Sequence, residues 1–260
     1  MARVRLDSLL TERGLFASRT RAAAAVLAGQ VHLGPGRARA GKPGQLVASD
    51  VELAVDAPPP FVTRGGVKLA NALDLLRLDV TGRRALDVGA SGGGFTDCLL
   101  QRGVEHVVAV DVAYGELAWQ LRGDPRVTVV ERVNARSLRP AMLPYPADLI
   151  VIDVSFISLT KVLPAVLGCA AERYDCLAMV KPQFEVGRGR VGKGGVVRDA
   201  ELRREAVASV AACGRSLGAS VLGFAPSGLP GPAGNRETFV WLGEPTRGRV
   251  GADALAEVDV

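Results

Sequence analysis

Lysine is scarce in this 260-residue chain: of 32 basic residues, 27 are arginine and only five are lysine. Histidine is rarer still, with His32 and His106 alone, and the four cysteines, Cys98, Cys169, Cys176 and Cys213, include no CxxC pair. So few soft ligands argue against a bound metal, and thiols set among small and apolar residues read as buried structural groups. No apolar run approaches the roughly 20 residues that span a bilayer. The opening Met1-Ala-Arg-Val-Arg-Leu-Asp7 has no signal-peptide core. A cytoplasmic protein without membrane contact is expected. Aromatic residues number only 12 and are scattered rather than interleaved with basic ones.

What is abundant is arginine at the start. Residues 1–45 hold eight Arg or Lys against Asp7 and Glu12, a balance of +6, so the other 215 residues sum to −1. A basic module joined to a nearly neutral body is the pattern of an appendage that docks on a polyanion.

Within that module Leu6, Leu9 and Leu10 share one helical face, and Gly14 can end the helix. Ser18 caps a second helix over 19–28 that stops at Gly29. Arg19 and Arg21 fall in its first turn, where positive charge opposes the helix dipole. They serve either a partner or a solvated face. Val31-His-Leu33, a Gly-Pro-Gly turn, basic residues 37–42 and a strand-like stretch over 45–55 complete the unit. The segments Arg5-Leu-Asp-Ser-Leu-Leu10, Ser18-Arg-Thr-Arg21, Gly29-Gln-Val-His-Leu33 and Lys42-Pro resemble the RNA-binding domain named after ribosomal protein S4. The resemblance implies RNA contacts at Arg5, Arg19, Arg21 and Lys42. It covers residues 1–57, and the stiff Ala57-Pro-Pro-Pro60 opens a linker over 58–62.

Residues 63–260 alternate strands with helices. Strands are expected at 84–88, 107–110, 127–130, 149–152, 176–180, 220–224 and 238–242, and helices at 69–76, 95–102, 114–122, 158–171 and 199–217. Continuous apolar strands such as Leu149-Ile-Val-Ile152 fit a parallel sheet covered on both faces. This is an open α/β sheet preceded by a small α+β module, and such sheets bind ligands beyond the carboxyl ends of their strands.

The first sheet strand runs into Asp87-Val-Gly-Ala-Ser-Gly-Gly-Gly-Phe95, and the second ends at Asp111, 24 residues after Asp87. Glycines let a backbone turn tightly against a ligand at a helix N-terminus, and a carboxylate at that distance can accept both hydroxyls of a ribose. The dinucleotide fingerprint GxGxxG is missing, and Asp87 would repel a pyrophosphate. A cationic cofactor fits better. The pattern resembles the first two motifs of class I, Rossmann-like methyltransferases, which implies S-adenosylmethionine held by Asp87, Gly89, Ala90, Ser91, Gly92, Gly93, Gly94, Phe95, Asp111 and Asp153. Asn134 either meets the adenine edge or caps its own loop.

Topology brings Lys68, Asp153, Lys181 and Glu237 to the same side of the sheet, Glu237 only if its strand runs antiparallel. The motifs Arg64-Gly-Gly-Val-Lys68-Leu, 86–98, Asp153-Val-Ser-Phe-Ile-Ser-Leu159, Val180-Lys-Pro-Gln-Phe-Glu185-Val-Gly, Val191-Gly-Lys-Gly-Gly-Val-Val-Arg-Asp199 and Gly234-Asn-Arg-Glu237 closely resemble the TlyA family. That family consists of ribosomal RNA 2'-O-methyltransferases, some labelled hemolysins, with an FtsJ-like catalytic domain. The resemblance implies a catalytic tetrad at Lys68, Asp153, Lys181 and Glu237, and cytidine ribose in 23S RNA as the target. With the N-terminal module present it also implies action on 16S RNA and an influence on susceptibility to capreomycin-type antibiotics. Thr63 stands where the family usually has serine, and Gly93 where threonine is common, which only loosens a glycine-rich turn.

A ribose hydroxyl is a poor nucleophile, so transfer to it gains from a positioned base and from exclusion of water. Lys181 is the candidate base, made more acidic by partial desolvation and by Lys68; it is alternatively the charge that steadies the forming alkoxide. Arginine could fill only the second role. Arg188, Arg190, Lys193 and Arg198 sit among five glycines in a loop over 185–198, too glycine-rich for regular structure. With Arg64 it is expected to cover RNA or the active site, with Arg188, Arg190 and Lys193 as contacts. Scarce aromatics favour recognition of folded ribosomal RNA or subunits by shape and phosphate geometry. A noncatalytic assembly factor would have no use for the tetrad, and a lytic protein would need the apolar span that is lacking.

Overall fold

The computed structural model describes residues 2–57, 59–248, 255, 256, 258 and 260, and Arg188 through its backbone alone. Pro58 of the proline spacer and the side chain of Arg188 therefore lie outside the described residues. Two compact units divide the chain, Met1–Pro59 and Pro60–Val260.

The first unit carries strand β1 (Arg3–Arg5), helices α1 (Leu6–Glu12) and α2 (Arg19–Leu27), and strands β2 (Val31–Leu33), β3 (Ala38–Arg39), β4 (Leu46–Ala48) and β5 (Leu53–Val55). Leu6, Leu9 and Leu10 of α1 bury against Ala22, Ala25 and Val26 of α2, whose alanines let the helices approach closely. Ser18 caps α2, accepting a hydrogen bond from Arg21 N at 3.3 Å. The stretch expected as one strand over 45–55 is two. A turn separates β4, which pairs with β1, from β5, which pairs with β2, and the Arg13 guanidinium pins that turn by donating to Ser49 O and Val51 O.

In the second unit seven strands form one sheet: β6 (Arg84–Val88), β7 (His106–Val110), β8 (Val127–Val130), β9 (Ala147–Ile152), β10 (Ala170–Val180), β11 (Ser220–Pro226) and β12 (Thr238–Gly243). Their order is β11-β12-β10-β9-β6-β7-β8, and β12 runs antiparallel to both its neighbours. The central runs of the strands, such as Leu149-Ile-Val-Ile152 and Cys176-Leu-Ala-Met-Val180, are apolar because both faces are covered. Leu86, Val88, Ile150, Ile152, Ala178 and Val180 pack toward α6 (Leu163–Leu167) and α8 (Ala200–Ser216). Alternate residues Ala85, Leu149, Val151, Leu177 and Met179 pack toward α3 (Arg64–Leu76) and α4 (Gly94–Gln101). Burial of each large aliphatic side chain contributes about 1.5–3 kcal/mol.

Several local expectations give way. The helix expected over 69–76 starts at Arg64. Gly65 and Gly66 join its first turn because that turn lies against the glycine loop; a Cβ at Gly94 would stand 2.8 Å from Gly66 N. The helix expected over 158–171 shrinks to a 3-10 turn at Leu159–Lys161 and the short α6, since Pro164 fixes its first turn and Gly168 its end, and β10 begins at Ala170. Over 114–122 only α5 (Trp119–Arg122) is helical. The 185–198 loop is partly regular: α7 (Pro182–Glu185) leads into it, and two 3-10 turns, Arg188–Arg190 and Lys193–Gly195, follow.

The order of the strands locates the site. From β6 the chain moves outward to β7 and β8, then returns to β9 on the other side, so a crevice opens between β6 and β9 at their carboxyl ends.

Candidate active site

At that crevice β6 ends in a turn that passes flush against the end of β9. Gly89 has φ +87°, and a Cβ there would stand 2.6 Å from Asp153 O, so only glycine fits. The N–H groups of Gly89 and Ala90 donate to Val110 O at 2.8 and 3.1 Å, which fixes the turn to β7. Asp111, just beyond β7, accepts from Ser91 N at 2.7 Å and from Ala113 N at 2.8 Å. Each carboxylate oxygen keeps a further lone pair for a ligand.

Gly93 does more than loosen the turn. At φ +93° it lies in the left-handed region, and a Cβ would meet Leu121 Cδ1 at 2.3 Å and Leu117 Cδ1 at 2.8 Å. Thr63 Oγ1 occupies the space above Gly94, 2.1 Å from where a Cβ would sit. Beneath the loop, Asp87 is fully buried and accepts from Thr96 Oγ1 at 2.7 Å, while its Oδ1 has no partner. Burial, with the Asp153 and Asp111 carboxylates nearby, pushes its carboxyl up to about 7.

Two adjoining cavities meet here. One, of about 500 Å³, is lined by Gly89, Ser91, Asp111, Val112, Asn134 and Ile157, among others. The other, of about 790 Å³, contains all four tetrad positions, Lys68, Asp153, Lys181 and Glu237, together with Gly89, Ala90, Ser91, Gly94, Phe95 and Arg64. Gly89, Ser91, Asp153, Ser155 and Phe156 line both. Asp87, Gly92 and Gly93 line neither; they shape the loop from behind. Asn134 takes the capping role, its Oδ1 accepting from Arg136 N at 3.0 Å, and still borders the smaller cavity.

The tetrad resolves into two ion pairs. Lys181 Nζ stands 2.5 Å from Asp153 Oδ1 and donates to Ser155 Oγ at 2.8 Å. Lys68 Nζ, on the second turn of α3, donates to Glu237 Oε2 at 2.5 Å, with the two side chains only 8% and 1% exposed. Because β12 is antiparallel, Glu237 enters it at the edge where β10 delivers Lys181.

Residues 61–244 match the FtsJ-like methyltransferase family. The chain is 49% identical to the 16S/23S rRNA (cytidine-2'-O)-methyltransferase TlyA of Mycobacterium tuberculosis, over 98% of this chain and 95% of that protein. This chain belongs to the TlyA family. YqxC of Bacillus subtilis, described as an rRNA methyltransferase, is 41% identical over 97% of this chain and 90% of its own. The structure of a Streptococcus thermophilus protein that carries a hemolysin label superposes with a TM-score of 0.74 at 36% identity, covering 99% of this chain and 96% of that one.

S-adenosylmethionine is the cofactor of this TlyA-family chain, and the residues present fit it. The smaller cavity offers a carboxylate, an amide and apolar Val112 and Ile157 for an adenosine, and Gly89 and Ser91 carry the space through to the tetrad. Among the described residues no group of His, Cys, Asp or Glu is placed to hold a metal, and no helix is long and apolar enough to cross a membrane.

Several residues at the site escaped sequence reasoning. Ser155 and Thr96 are ordinary hydroxyls until the fold aims them at Lys181 and Asp87. Asn235 is buried and clamps the basic loop, accepting from Val197 N at 2.9 Å and donating to Gly195 O at 2.8 Å. Phe156 has φ +64°, is 91% exposed and sits 5.2 Å from the Phe184 ring.

The basic residues fare unevenly. Arg64 lines the larger cavity and donates to Pro230 O at 2.6 Å. Arg190 forks onto Glu205, whereas Lys193 is exposed. In the first unit Arg5 and Arg19 both bond the buried Asp7, whose carboxyl the two guanidinia hold well below its usual range, while Arg21 and Lys42 are exposed. Asp7 thus fixes two half-exposed guanidinia on one surface of that unit.

Proposed function

We propose that this chain transfers a methyl group from S-adenosylmethionine to the 2'-hydroxyl of cytidine in ribosomal RNA, in both 16S and 23S RNA. The observation that carries the reading is the shared wall: Asp153 and Ser155 line both cavities and both hold Lys181. A group that must act where the cofactor meets the acceptor belongs on that wall.

Bound S-adenosylmethionine supplies an electrophilic methyl group on a sulfonium. The chain supplies placement. Asp111 receives the ribose hydroxyls, Asn134 borders the adenine, and the loop from Gly89 to Phe95 seats the methionine end. Lys181 meets the 2'-hydroxyl of the acceptor, and the Lys181–Asp153 pair takes up the proton that the oxygen loses. Ser155 keeps Nζ aimed. Lys68 and Glu237, locked together and nearly dry, hold the far wall and bring fixed charge to it.

The basic surface of residues 1–57, with Arg5, Arg19, Arg21 and Lys42, grips folded RNA, and Arg64, Arg190 and Lys193 contact it beside the active site. A noncatalytic role leaves a buried lysine–carboxylate pair and a second lysine–carboxylate pair in one cavity without a purpose. Incubating ribosomal subunits with methyl-labelled S-adenosylmethionine, then mapping the label, tests the reading. Label on a cytidine ribose supports it; label on a base, or none on either subunit, refutes it.

A further inference from the structure

One polar group in the larger cavity has no role in the chemistry above. Gln183 follows Lys181 by two residues on α7 and lines the same cavity as the four tetrad residues. Its Oε1 is buried and accepts no hydrogen bond. A buried carbonyl without a partner costs about 1–3 kcal/mol, a cost that a ligand with a matching donor removes.

The surroundings hold this residue in place. Pro182 stiffens the first position of α7, and Glu185 ties its end to the neighbouring loop, accepting from Ser158 Oγ at 2.6 Å and Leu159 N at 2.8 Å. Phe184 lies against the exposed Phe156 ring, and both rings line the cavity with Gln183. Lys181, which meets the ribose, and Gln183 are thus set by one short rigid element.

We propose that the Gln183 carboxamide reads the base of the target nucleotide, selecting cytosine over uracil. The inference rests on the cytidine 2'-O-transfer reading above. Cytosine offers an amino donor beside a ring-nitrogen acceptor. An amide whose oxygen receives the amino group and whose nitrogen donates to the ring nitrogen matches that edge at two points. Uracil presents the reverse order, an acceptor beside a donor, so an amide whose oxygen faces the amino position meets it acceptor to acceptor and donor to donor. Adenine shares the cytosine order on a larger ring, and a cavity that must also admit the methionine end of the cofactor favours the smaller base.

The test uses ribosomal subunits carrying plasmid-encoded rRNA in which the mapped target is cytidine or uridine, with wild type, Gln183→Met and Gln183→Glu. Wild type is expected to favour cytidine by about 10- to 100-fold in kcat/KM, the range a bidentate base contact gives. Gln183→Met, of similar size, is expected to bring the ratio within about threefold of unity while S-adenosylmethionine affinity holds. Gln183→Glu keeps the acceptor and turns the donor into a second acceptor, which opposes the cytosine ring nitrogen and can accept from the uracil N–H, so it is expected to lose rate on cytidine and to bring the ratio toward unity. An unchanged ratio in Gln183→Met, or a loss of cofactor affinity in step with the ratio, overturns the assignment. Wild type that labels neither target fails the underlying reading instead, and the assignment with it.

Discussion

Asp153 Oδ1 stands 2.5 Å from Lys181 Nζ, joining the carboxyl ends of β9 and β10 beside the crevice. These strands are adjacent and parallel, so the pairing follows from the order of the sheet. With Ser155 as a third anchor, Nζ has little freedom.

The role of that nitrogen separates lysine from arginine. Arginine keeps a positive charge but cannot take up a proton. If the Lys181–Asp153 pair receives the hydroxyl proton, Lys181→Arg and Lys181→Ala should both lose about 100-fold or more in kcat. Single-turnover transfer with labelled cofactor measures this. Retention of most activity by Lys181→Arg would show that Lys181 acts by charge alone.

The buried Lys68–Glu237 pair predicts a stability pattern. Removing one partner leaves a charge with no counterion in a dry place, so Glu237→Leu alone should cost about 3–5 kcal/mol in urea unfolding. The double variant Lys68→Met with Glu237→Leu should recover most of that loss yet remain inactive. A double variant no more stable than the single one would mean the pair is not coupled as the geometry indicates.

Asp87 should make stability depend on pH. Its carboxyl is pushed from 3.8 to about 7 by burial, so the folded chain holds a proton that the unfolded chain releases between those values. Stability therefore falls as pH rises through that window, by up to about 1.4 kcal/mol per unit from this one group, and levels off above it. Asp87→Asn should flatten that part of the profile and gain on wild type between pH 5 and pH 8. Parallel profiles for the two proteins by denaturant unfolding would refute the assignment.

Gly93 can be tested with threonine. A β-branched side chain at φ +93° is strained and would press on Leu117 and Leu121. Gly93→Thr should cost about 1–3 kcal/mol and weaken cofactor binding, while Gly92→Ala should meet only the Thr63 methyl. Equal binding by Gly93→Thr and wild type in calorimetry would show that the loop adapts.

Much of the site was legible because it lies at strand ends. Apolar runs such as Leu149-Ile-Val-Ile152 mark their own boundaries, and the next polar residue, Asp153, falls at the crevice by construction. Less legible were the short helix α6, which Pro164 opens and Gly168 ends, and the glycines that α3 uses for close packing rather than for a turn. Local sequence reads Gly65-Gly66 as a break; only the neighbouring loop explains why they are helical. Hydroxyls and amides were hardest. Nothing in the pattern distinguishes Ser155, Asn235 or Gln183 from solvent-facing residues until partners over 25 residues away, or the lack of one, are seen.

The most direct test of the account is nucleoside mass spectrometry on ribosomal RNA treated with wild type or with Lys181→Ala, after calorimetry has shown that both bind S-adenosylmethionine equally. The account predicts 2'-O-methylcytidine with wild type and a loss of about 100-fold or more with the variant. Equal yields from the two proteins, or methylation confined to a base, would contradict it.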